Sequence, residues 1–100
     1  MKQYSLSKKA ESDLEGILIY TLDRWGEEQA ERYLQDLTDC FNLIAHNPGL
    51  GRTCEALFPN LKRIEQGRHV LFYRVEEKQV VIVRVLHQSR LPQRHEFMDI

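Results

Sequence analysis

Among the basic residues in the last third of the chain, His69, Arg84, His87, Arg90 and Arg94 gather at strand ends and in the tail. Such a set suits phosphodiester chemistry: a histidine can move the 2'-hydroxyl proton of RNA while arginines stabilise the pentavalent phosphate. The same residues also have an ordinary use, because a histidine at a strand end commonly makes structural hydrogen bonds and an arginine-rich tail commonly meets solvent or a partner. Spacing leaves both uses open. The chain has no P-loop, nucleophile elbow, zincin histidine pair or glycine-rich dinucleotide fingerprint. Cys40 and Cys54 have neither metal-ligand spacing nor the pattern of a disulfide framework, so both read as packing or surface thiols. No metal and no cofactor are expected.

The elements that carry these residues follow from periodicity. Residues 2–6 alternate and suit a short strand. Ser7 then precedes Ala10, Leu14, Ile17, Leu18, Thr21 and Trp25 at helical spacing, which makes it the N-cap of a first helix that Gly26 ends. A second helix starts at Glu27, with Glu27, Glu28 and Glu31 at its positive end and a stripe of Ala30, Tyr33, Leu34, Leu37, Phe41 and Ile44. His46-Asn47-Pro48-Gly49 stops it. With only a turn at Gly26 between them, the helices should pack as an antiparallel hairpin.

Residues 49–60 read as a loop, after which the period changes to two. Leu61–Gln66, Arg68–Glu76 and Gln79–His87 read as three strands of an antiparallel meander, separated by Gly67 and by the turn Glu77-Lys78. A two-residue turn there would set Val75 opposite Val80, Tyr73 opposite Ile82, Leu71 opposite Arg84 and His69 opposite Leu86. The other side would hold Val70, Phe72, Val81, Val83, Val85, Arg68, Arg74 and His87. The expected fold is therefore α+β: a short N-terminal strand, a helical hairpin, a three-stranded antiparallel β-meander and a short C-terminal tail, all in one domain over 1–100. Both sheet faces are largely apolar, yet one helical hairpin covers only one of them. The remaining face, fringed by arginine and histidine, is expected to receive a partner, the alternatives being the C-terminal segment or a second copy. Leu71, Tyr73, Ile82, His69, Arg84, His87, Arg90 and Arg94 are the expected contacts, while Leu14, Leu18, Trp25 and Leu37 build the scaffold.

One hundred residues exclude a multi-domain enzyme, and 42% hydrophobic with 29% charged residues exclude a disordered chain. The formal net charge of -1 hides an asymmetry. Residues 1–50 carry five Lys/Arg against nine Asp/Glu, and residues 51–100 carry nine against six. An acidic helical half is thus joined to a basic sheet and tail. The N-terminus has no apolar region of signal length, and no stretch approaches the ~18 apolar residues of a membrane span, so a cytoplasmic location is expected.

An ordered set of short segments adds what spacing cannot. Tyr4-Ser5-Leu6-Ser7-Lys8-Lys9-Ala10 with Asp13-Leu14 is followed by Tyr20, Trp25-Gly26, Gln29-Ala30 and Tyr33, then Asn47-Pro48-Gly49-Leu50-Gly51-Arg52. Gly67-Arg68-His69-Val70, Phe72-Tyr73-Arg74 and Val83-Arg84-Val85-Leu86-His87 complete it. Over nearly its full length the chain resembles the ParE-type toxins of the RelE/ParE superfamily. The resemblance implies a toxin of a type II toxin–antitoxin module, held in a hetero-oligomer by a ParD-like antitoxin whose disordered segment folds on binding. It implies DNA gyrase as target, with nucleic acid met only through that target and no catalytic residues. The alternative within the superfamily is a ribosome-dependent messenger endoribonuclease, for which His87, Arg84 and Arg90 would be the catalytic set. Against it, the chain has no tyrosine after Tyr73, and Val70 stands where those ribonucleases tend to carry arginine.

Overall fold

The computed structural model describes residues 3–98. Lys2, which the alternating pattern places in the first strand, lies outside them. Strand β1 (Gln3–Leu6) leads into helices α1 (Lys8–Trp25) and α2 (Glu27–His46). Strands β2 (Arg52–Thr53), β3 (Leu61–Gln66), β4 (His69–Val75) and β5 (Gln79–His87) follow, then a 3-10 turn at Arg94–Phe97. The expected architecture holds, with two additions to the meander. β1 pairs parallel to β5, and the two-residue β2, inside the segment expected to be loop, pairs antiparallel to β3. The result is a five-stranded sheet in the order β1-β5-β4-β3-β2.

Local chemistry fixes the helix ends as the sequence suggests. The Ser7 hydroxyl accepts the Ala10 N–H at 3.0 Å, capping α1, and donates to the Val83 carbonyl at 2.7 Å, tying the cap to β5. Gly26 alone separates the helices, at φ +90°, which a side chain resists. After α2 the chain turns through 48–51, and Tyr73 fastens that turn from below. Its hydroxyl donates to the Pro48 carbonyl at 2.9 Å and accepts the Gly51 N–H at 2.7 Å. A Cβ on Gly51 would sit 2.6 Å from that hydroxyl and 2.7 Å from the Arg63 carbonyl oxygen, so only glycine fits.

The register of β4 and β5 departs from simple alternation. Val75 faces Val80 and Tyr73 faces Ile82 as the two-residue turn requires, but Phe72 then faces Arg84. Val83 is an extra residue on β5, a bulge that moves every later pair by one. Leu71 therefore faces Val85, not Arg84, and His69 faces His87, not Leu86. The Val83 side chain turns away from the helices while Val85 turns back towards them, so β5 feeds both faces of the sheet. The Ser7 hydroxyl bond to the Val83 carbonyl falls at this same position.

Two apolar layers result. On the helix side, Ala10, Ile17, Leu37, Phe41 and Ile44 pack on Leu71, Tyr73, Val80, Ile82 and Val85. On the other side Leu61, Val70, Phe72, Val83 and Leu86 are closed by Phe97, with Cys54, Leu57 and Phe58 beside them. The Phe97 ring stands 5.0 Å from that of Phe72, and only 1% of Phe97 is exposed. The expectation of a bare second face is thus corrected: the chain's own tail and the loop before β3 cover it, with Phe97 packing on Phe72 from the tail and Leu57 and Phe58 from the loop. Leu71, Tyr73 and Ile82 are corrected with it. They lie on the helix side at 0% exposure and cannot touch a partner in this fold.

Candidate functional site

The late cations do not form one cluster; the fold sorts them. Arg84, at the bulge, points into the protein. Its Nε and Nη2 donate to the two carboxylate oxygens of Asp13 on α1, both at 2.8 Å, and the Val85 N–H donates to Asp13 Oδ2 at 2.9 Å. On its other side Nη1 lies 3.5 Å from Oε2 of Glu96, a carboxylate with only 4% of its side chain exposed. Arg90 Nη2 closes the chain of charges at 2.6 Å from that oxygen. Asp13–Arg84–Glu96–Arg90 is therefore one network joining helix, sheet and tail. The hydrogen bonds to Asp13 raise the Arg84 pKa above its ordinary value, against burial, so this cation is permanently charged and permanently occupied. It is a structural link, and as a contact residue or catalytic electrophile it is corrected here: its N–H groups are already spent on carboxylates.

His69, at the start of β4, is fixed from α2. Its Nδ1 shares a 2.6 Å hydrogen bond with the Tyr33 hydroxyl, which also accepts the Arg68 N–H at 3.1 Å. Gly67, at φ +61°, gives the turn into β4 its shape and lets the backbone pass over the Tyr33 ring. The His87 ring meets His69 edge-on at 5.4 Å, a consequence of the bulged register that pairs them. Burial first, and the neighbouring His87 second, lower the His69 pKa from 6.5 to about 4. It is neutral at neutral pH. Burial likewise raises the Tyr33 pKa, so the phenol keeps its proton. His87 Nδ1 accepts the Ser89 N–H at 3.1 Å and shares a 2.7 Å hydrogen bond with the Ser89 hydroxyl.

Around this corner runs a groove between α1 and the ends of β4 and β5. One part, about 480 Å³, is lined by Ile17, Tyr20 and Trp25 from the helix and by Arg68, His69, His87 and Arg90 from the sheet side. A second hollow of about 430 Å³ shares Trp25, Arg68 and His69 with it and adds Thr21, Gln29 and Tyr33. Trp25 is 58% exposed and Tyr20 57%, so Trp25 is corrected from scaffold to groove wall. Leu37 is fully buried and Leu14 packs against the core from a partly buried position, as scaffold residues should. Of the expected contacts, His69, His87 and Arg90 meet at the groove. Arg94 stands apart and exposed on the 3-10 turn. The sequence marks Tyr20 and Arg68 only within the segments that carry the resemblance and not as contacts, since an aromatic on a helix and an arginine after glycine carry no functional signal of their own.

Among the described residues no helix is long and apolar enough to cross a membrane, and no group of three or more His, Cys, Asp or Glu side chains could hold a metal ion. Residues 4–92 match the model of the family described as the ParE toxin of the type II toxin–antitoxin system, parDE. The chain is 44% identical to Toxin ParE1 of Caulobacter vibrioides over 95 residues, covering 95% of this chain and 98% of that protein. It is 45% identical to Toxin ParE1 of Mycobacterium tuberculosis over 87 residues, covering 86% and 89%. Its fold is similar to a chain from the chromosomal ParDE system of P. aeruginosa, with a TM-score of 0.74, 21% identity and coverage of 87% of this chain and 96% of that one. Carrying the strand, helical hairpin and sheet of that fold and matching the family model from Tyr4 to Pro92, the chain belongs to the ParE toxins of type II toxin–antitoxin systems.

Proposed function

We propose that this toxin inhibits DNA gyrase in the cytoplasm by binding, without bond-breaking chemistry of its own, and that a ParD-like antitoxin neutralises it in a hetero-oligomer. The observation that carries the reading is the groove. Exposed Tyr20 and Trp25 form an apolar wall, and Arg68, Arg90 and His87 stand on its rim, a match for an acidic amphipathic segment that folds as it docks. The histidines support binding over catalysis. A general base works best with a pKa near the working pH, and His69 at about 4 is far below it. His87 commits Nδ1 to Ser89, and Arg84, on the same strand, is held by Asp13.

The test is one preparation of protein in two assays. Gyrase incubated with the toxin should lose supercoiling and accumulate cleaved DNA, and added ParD-type antitoxin should reverse both. Translated messages should stay intact. Cuts in those messages that vanish in His87→Ala would instead establish the ribosome-dependent endoribonuclease.

A further inference from the structure

Gly16 stands in the middle of the eighteen-residue helix α1, where glycine costs helix stability relative to alanine because it has more backbone freedom to lose. Nothing inside the protein asks for it: a Cβ on Gly16 would meet no atom within 4 Å. At Gly51 and Gly67, by contrast, a Cβ would strike Tyr73 and Tyr33. The groove offers a reason that lies outside the free chain. Asp13, Gly16, Ile17 and Tyr20 all line it, and their spacing of i, i+3, i+4 and i+7 is that of the four residues that surround one inserted side chain where helices pack. Asp13 turns its oxygens to Arg84 and to the Val85 N–H. Ile17 lies at the floor with 9% exposed, and Tyr20 rises exposed on one side. With glycine at the remaining corner, the hole is open and apolar.

We propose that Gly16 is a specificity-determining residue: it opens a hole on α1 that receives one large apolar side chain from a docking helix of the antitoxin. The proposal rests on the reading of the groove as the antitoxin's docking site and deepens it. An acidic amphipathic helix suits the walls, since Arg68 stands exposed across the groove from α1 and the exposed rings of Tyr20 and Trp25 extend the apolar strip beyond the hole. The missing Cβ selects among such helices. One that carries a large side chain at the right position fills the hole, and one that carries a small residue there leaves it empty.

The test pairs thermal unfolding of the free toxin with calorimetric titration of a ParD-type antitoxin, Trp25 emission being recorded alongside. Gly16→Ala should raise the unfolding midpoint by a few degrees, because alanine favours the helix and meets nothing, and yet weaken antitoxin binding about tenfold. Gly16→Leu should melt no lower than the native chain and weaken binding about a hundredfold, as expected for overpacking a filled site. One apolar residue of the antitoxin, cut to alanine, should lose affinity for the native toxin and regain it for Gly16→Leu. Variants that bind as tightly as the native chain, with Trp25 emission still shifting, overturn the hole and keep the groove. A loss of affinity that no alanine variant of the antitoxin offsets also overturns the hole, since the added side chain then only crowds the groove. Binding that leaves Trp25 emission unchanged removes the groove reading, and the hole with it.

Discussion

Arg84 and His69 show how the same residue types acquire different work from their surroundings. Arg84 offers its charge to Asp13 in a two-pronged bond and to Glu96 across the tail, with only about an eighth of its side chain exposed. Arg84→Ala would leave the Asp13 carboxylate without its cation and Glu96 with Arg90 alone, and should cost about 3–5 kcal/mol in denaturant unfolding. Arg84→Lys, which keeps the charge and loses the fork, should recover part of that. His69 is held neutral instead. Its pKa of about 4 in the fold lies below the ordinary 6.5, so between those values the unfolded chain binds a proton that the folded chain refuses. The stability contribution is complete above about pH 6.5 and is lost as pH falls towards 4. Half-exposure limits the effect to on the order of 1 kcal/mol. His69→Gln should flatten the unfolding free energy over that window, and an unchanged profile would mean that another group titrates there.

At the scale of elements, caps and turns follow the local rules, and the bulge does not. Ser7, Gly26 and the Pro48 stop could be read directly, since each is a residue whose backbone chemistry suits one end of a helix. The pairings Val75 with Val80 and Tyr73 with Ile82 could be read too, because they lie close to the turn. Beyond Ile82 the sequence Val83-Arg84-Val85-Leu86 carries apolar residues on both sides of Arg84, and strict alternation places Val83 correctly but sets Val85 and Leu86 on the wrong faces. Nothing in that run marks which residue is extra; the decision comes from packing on both faces at once. Ser7→Ala should therefore cost about 1 kcal/mol for the cap, and more than that because the Val83 carbonyl at the bulge also loses its donor. Thermal unfolding measures it, and a loss no larger than for a cap alone would mean the bulge needs no help from Ser7. Gly51 is legible only after the fold is known, as the close approach of Tyr73 and Arg63 sets its requirement.

At the scale of the molecule, the acidic helical hairpin and basic sheet seen in the sequence meet along the groove, and the tail completes the other side. Charge counting located the basic half but could not tell a buried arginine from a presented one. Apolar counting found two faces in need of cover but undervalued Phe97, a lone aromatic in a polar tail. Phe97→Ala should cost about 3–5 kcal/mol and should expose Val70, Phe72 and Leu86 to a hydrophobic dye. A variant as stable as the native chain, with no added dye binding, would show that the tail is no part of the second core. The groove remains exposed after both cores are closed, and it holds the only tryptophan of the chain. The central claim is that this groove is where a protein partner docks, and Trp25 emission reports on it directly. Titration with a ParD-type antitoxin should shift that emission to shorter wavelength as the indole leaves water, in step with complex formation followed by calorimetry. Heat of binding with Trp25 emission unchanged would place the partner elsewhere and contradict the account.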